Sequence, residues 1–131
     1  MCELPTVYYC DRPRARKEHH CLECQGIISI GETYHNHHGI WDGEGRTYKV
    51  CNDCEALREE LTKRYDLDGE DTIAFGELYE MVFDGNDRTI NDLERYLAIR
   101  NRRKAETPRW MIERLDKLRK YEMTHDSKDL Y

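Results

Sequence analysis

The chain has 131 residues, of which 37% are charged, with a formal net charge of −6 and a mean hydropathy of −0.96. Those values exclude a protein built of membrane-spanning helices and argue against a uniformly basic nucleic-acid binder. The length suits one domain, or a small domain with an appendage, and leaves little sequence for a large apolar core.

Residues 1–20 hold the strand-like piece Val7-Tyr8-Tyr9-Cys10, then the basic run Arg12-Pro13-Arg14-Ala15-Arg16-Lys17 leading to His19-His20. Proline and charge make this segment an extended arm. The pair Cys21-Leu22-Glu23-Cys24 follows, and Gln25-Gly26 closes its turn, glycine supplying the backbone freedom. After Ile27-Ile28-Ser29-Ile30, residues 33–39 and 46–50 read as two strands, with Asp42-Gly43 as the hairpin signal between them. The second pair, Cys51-Asn52-Asp53-Cys54, opens a helix with Cys54, Leu57, Leu61 and Tyr65 on one face.

The acidic stretch at 66–71 breaks that periodicity and marks a linker. A second helix is expected over 72–83, burying Ile73, Leu78, Met81 and Val82 and ended by Gly85, although Gly76 weakens it. A third, over 89–103, would bury Ile90, Leu93, Tyr96 and Leu97. Thr107-Pro108 then caps a fourth, which presents Trp110, Met111, Leu115 and Leu118. Residues 124–131 read as a frayed tail. The fold class is therefore α+β: an arm and zinc module at 1–66, followed by a helical extension at 67–131.

Paired cysteines two residues apart, on both sides of a hairpin, have the spacing of a tetrahedral four-cysteine zinc site, with Cys21, Cys24, Cys51 and Cys54 as ligands. Four thiolates leave no position for water or substrate, so such a centre is structural and calls for no catalytic residue. The order of knuckle, hairpin and helix over about 19–66 is that of a treble clef. Cys2 and Cys10 lack a matching spacing and read as ordinary thiols. His35 and His37 share a strand face and His38 takes the other; two imidazoles on one face could bind a second metal, replace one cysteine or act as acid and base, but with no carboxylate evidently placed to orient them they read first as polar residues of a small exposed hairpin.

Charge is segregated. Residues 51–94 carry 14 acidic and 4 basic side chains, and residues 95–120 carry 3 and 10. Arg100, Arg102, Arg103 and Lys104 could meet phosphates, Glu77 and Glu80 could oppose a basic groove, and Trp41 near the hairpin tip is a candidate exposed anchor. The alternative is that the acidic and basic stretches neutralise each other within the fold.

The segment from Lys17-Glu18-His19-His20-Cys21 to Cys54-Glu55-Ala56-Leu57-Arg58, with Gly31-Glu32-Thr33-Tyr34 and Trp41-Asp42-Gly43 inside it, resembles the small treble-clef proteins encoded by bacteriophages and prophages. Ile73-Ala74-Phe75-Gly76-Glu77-Leu78 and Leu97-Ala98-Ile99-Arg100 are similar to the helical extension that follows in such proteins. The resemblance implies a small host-directed protein of the bacterial cytoplasm. The leading expectation is a non-enzymatic, zinc-stabilised phage protein that binds and inhibits a host protein complex, such as a CRISPR surveillance complex. A DNA- or RNA-binding regulator using the basic helices is the alternative. A third is a metal-dependent HNH-like nuclease, which Tyr34-His35-Asn36-His37-His38 suggests; the helix after Cys54 has no histidine to complete that pattern. No apolar run approaches spanning length, and Met1-Cys2-Glu3-Leu4-Pro5 lacks the start of a signal peptide, so a reducing cytosol is the expected compartment.

Overall fold

The computed structural model describes residues 7–41, 43–67, 72–84 and 89–124. Among the described residues five short strands precede four helices. They are β1 (Val7–Asp11), β2 (His19–His20), β3 (Ile27–Ile28), β4 (Tyr34–Trp41) and β5 (Glu44–Cys51), then α1 (Asn52–Arg64), α2 (Leu78–Asp84), α3 (Ile90–Arg102) and α4 (Arg109–Thr124). The strands form a three-stranded antiparallel sheet in the order β1-β4-β5 and a separate β2-β3 hairpin that carries the first cysteine pair in its turn.

The long hairpin forms where alternation predicts it, and the N-terminal strand adds to its edge, pairing Cys10 with His37 and Asp11 with Asn36. The basic run is not a free arm. The Ala15 N–H donates to the Glu32 carbonyl, the Gly31 and Tyr34 N–H groups donate back to Ala15 and Pro13, and Ala15 is buried. Backbone pairing satisfied along one side leaves Arg12, Arg14, Arg16 and Lys17 pointing to solvent.

The second helix is shorter than its expected span because Gly76 sits at a φ of +89°, outside helical geometry. Helix α2 therefore begins at Leu78. Thr89 caps α3 by accepting the Asp92 N–H, and Ile99, absent from the expected apolar set, is buried beside Leu93 and Tyr96. Cys2, residues 68–71 of the expected linker, Asp42, Gly85 and the tail beyond Thr124 lie outside the described residues.

One buried cluster runs through the chain from Ala15 and Ile28, through the four knuckle cysteines, Leu57 and Leu61, to Leu78, Phe83, Tyr96, Met111 and Leu115. The helical half is thus built onto the cysteine-bearing half. Among the described residues no helix is long and apolar enough to cross a membrane.

Candidate metal centre

Two turns deliver the four sulfurs. In the first, the Cys21 N–H donates to the Gly26 carbonyl and the Gln25 N–H to the Cys21 carbonyl, which folds Cys24 back over Cys21. The positive φ falls on Gln25, at 62°, and not on Gly26. Gly26 is required for a different reason: a Cβ there would lie 2.4 Å from the Arg103 Cβ and 3.3 Å from the Cys24 sulfur. Gly26→Ala should therefore cost about 1–3 kcal/mol through overpacking, read as a lower denaturant midpoint at unchanged m-value. In the second turn Cys51 ends β5 and caps α1, its sulfur accepting the Cys54 N–H at 3.4 Å.

The four sulfurs lie within 4.8 Å of one another, and those of Cys24 and Cys51 are 3.9 Å apart. A tetrahedron with metal–sulfur bonds of about 2.3 Å has an edge of about 3.8 Å, so the cage has the right size. All four residues are buried, and none is in a disulfide. Backbone N–H groups of Gly26 and Cys51 point at the sulfurs of Cys24 and Cys21, each at 3.3 Å, as they would to a thiolate. Hydrogen bonding among the sulfurs, led by Cys24, pulls the Cys21 thiol far down, whereas the same contacts, led by Cys21, and burial push Cys51 and Cys54 far up. Four sulfurs buried this close together cannot all ionise unaided. A bound cation removes that conflict, and the four cysteines are placed to hold one.

The helical half grips the first knuckle through its backbone. The Tyr96 hydroxyl donates to the Glu23 carbonyl at 2.6 Å, and Arg100 donates to the Cys24 carbonyl at 2.8 Å and also to that of Glu106. The Ile27 N–H donates to the Arg103 carbonyl, and the Arg103 guanidinium spans Glu32, Asp53 and the Ile27 carbonyl. Neither Arg100, 2% exposed, nor Arg103 is free for a phosphate. Arg102 is exposed and pairs with Asp53, and Lys104 is exposed.

Trp41 is not a protruding anchor. It is half-buried, lies over Gly39, where a Cβ would meet its ring at 2.5 Å, and packs edge-on against Tyr8, Tyr48 and Phe75. Glu77, just before α2, and Glu80, in its first turn, are both exposed.

The histidines depart most from expectation. His35 and His37 do share a face of β4, but that face is covered by α1, and they are 9% and 4% exposed. The carboxylate that the sequence did not reveal is Glu55, one residue past the last knuckle cysteine. It lies 2.9 Å from His37 Nε2 and 3.7 Å from His35 Nδ1. Burial pushes the Glu55 carboxyl up, but the His37 hydrogen bond and the surrounding positive charge outweigh it and hold the group below its usual range. Burial moves His35 down and Cys10 up. His38, on the other face, bridges Asp11 and Thr47. In sequence Glu55 is marked only by its place next to Cys54 in the first turn of α1.

No family model, curated protein or solved structure matches this chain.

Proposed function

We propose that the four cysteines hold one structural zinc ion, that the β2–β3 knuckle, the β4–β5 hairpin and α1 form a treble clef around it, and that the chain acts without catalysis as a binding protein for another protein. The size and burial of the sulfur cage support the zinc, because a closed site of four thiolates offers no open coordination position.

The observation that carries the choice of a protein partner is the fate of the basic stretch. Arg95 pairs with Glu60, Arg102 and Arg103 with Asp53, Arg114 with Asp84, Arg119 with Glu94, and Arg100 is buried. The acidic and basic segments of the helical half largely pair with each other, which thins the positive surface of the helices that phosphate binding would need; the exposed Arg12, Arg14, Arg16 and Lys17 lie outside that stretch. What is exposed instead includes Val7, Tyr8 and Tyr9 on the edge strand β1 and Trp110 and Ile112 on α4. Exposed aromatics of this kind suit protein contacts. In its most specific form the proposal is a phage inhibitor of a host complex; that form rests on the resemblance of the knuckle segments alone.

The test is affinity purification of the tagged protein from a bacterial host, with and without nuclease. A stoichiometric protein partner is expected to survive nuclease and replacement of Arg102 and Lys104 by alanine, and to be lost on charge reversal at Glu77 and Glu80. Recovery of nucleic acid alone, with affinity falling steeply in salt, would replace this reading with the regulator. The nuclease alternative draws on the meeting of His35, His37 and Glu55, and requires divalent-metal-dependent cleavage that His35→Ala abolishes.

A further inference from the structure

We propose that the cleft between β1, β4 and α1 holds a second metal ion of the zinc class, bound by Cys10 Sγ, His37 Nε2 and the Glu55 carboxylate, with one coordination position open. These three donors lie within 4.8 Å of one another, although they come from three elements up to 45 residues apart in sequence. In a tetrahedral zinc site with bonds of about 2.0–2.3 Å, donor atoms are separated by roughly 3.3–3.8 Å. His37 and Glu55 are in direct contact at 2.9 Å, so an ion would replace their hydrogen bond and open that edge by roughly 0.4 Å or more, while Cys10, which is exposed, can turn toward both.

The surroundings are those of a ligand set. The Tyr8 hydroxyl is 2.6 Å from His37 Nδ1 and can accept a proton held there, so that an ion can take the Nε2 lone pair in place of the hydrogen bond that Nε2 makes to Glu55. Phe75 packs on the same imidazole, with ring centroids 4.6 Å apart, and fixes its plane. His35 Nδ1 stands 3.9 Å from the Cys10 sulfur and 3.7 Å from Glu55, beside the open position. His37 and Glu55 border a cleft of about 240 Å³, lined also by Tyr8, Arg58, Glu59 and Lys63, with room for water or a small anion. One thiolate, one imidazole and one carboxylate select zinc or cobalt over magnesium or calcium, which prefer all-oxygen shells. Binding releases the Cys10 thiol proton to solvent. The ion would tie the edge strand β1, which pairs only with β4, directly to α1.

This site shares no ligand with the four-cysteine cage and rests on no assigned partner, and metal content tests it. Full-length protein equilibrated at micromolar free zinc should hold two equivalents, whereas Cys10→Ser and His37→Gln should each hold one with unchanged circular dichroism. Tyr8→Phe should weaken the second equivalent about 10–100-fold and leave the first untouched. Cobalt substitution should show a second set of absorption bands with a single thiolate charge-transfer component, absent from Cys10→Ser. A single equivalent in the parent protein overturns the proposal, as does a second equivalent that survives Cys10→Ser. If His37→Gln fails to fold, Cys10→Ser decides alone, because that side chain is exposed.

Discussion

Replacing Cys51 by serine is expected to release the ion of the four-cysteine cage and abolish cooperative folding of the whole chain, helical half included. Structural zinc sites contribute an apparent binding free energy of about 10–16 kcal/mol at neutral pH, which matches or exceeds the roughly 5–15 kcal/mol by which ordinary domains are stable. Here the loss spreads, because the cysteines lie inside the one buried cluster that links Ile28 and Leu57 to Phe83 and Leu115. Tyr96 and Arg100 moreover hold α3 to the carbonyls of Glu23 and Cys24 and have nothing equivalent to grip once the knuckle opens. Circular dichroism should show helix loss greater than α1 alone can account for, and a strong chelator should reproduce it in the parent protein. A Cys51→Ser protein that melts cooperatively near the parent temperature would reduce the metal to an accessory of a self-sufficient core.

The cysteine cage was legible because its signal is local: two residues between ligands fix a turn, and a turn needs no tertiary context. The long hairpin and α1 followed for the same reason, their periods being written in consecutive residues. What escaped depended on contacts between distant segments. Gly26 looked like a backbone requirement, but its constraint is the side chain of Arg103, which approaches from the end of α3. Arg100 and Arg103 looked like a basic surface because a run of cations is conspicuous in sequence, whereas the carbonyls and carboxylates that engage them are scattered from Cys24 to Glu106. Cys10 has no partner at knuckle spacing, and only the addition of β1 to β4 places it beside His35 and Glu55.

Glu23→Ala is expected to be the most damaging substitution outside the metal ligands, at about 3–5 kcal/mol. Its side chain is fully buried within the first knuckle and does three things at once. It pairs with Arg58 of α1 at 2.6 Å and accepts the N–H groups of Gly76 and Leu78 at 3.0 and 3.2 Å, where the chain enters α2. One carboxylate thus joins the metal turn, the first helix and the start of the helical half. Removing it leaves two backbone donors without their acceptor and a guanidinium, 13% exposed, without its counterion. Arg58 keeps the Ile73 and Ala74 carbonyls and the face of Phe75, but it cannot shed its charge. The reverse change should cost less. Burial pushes the Glu23 carboxyl up while Arg58 pulls it down, so in Arg58→Met the acid can take a proton and remain buried as a neutral group. Glu23→Ala should therefore lower the denaturant midpoint more than Arg58→Met, and the double variant should lose less than the sum of the two. Equal and additive losses would mean that the Glu23–Arg58 pair contributes no coupling and that the link between knuckle and helices rests on the other contacts, those of Tyr96, Arg100 and Arg103 among them.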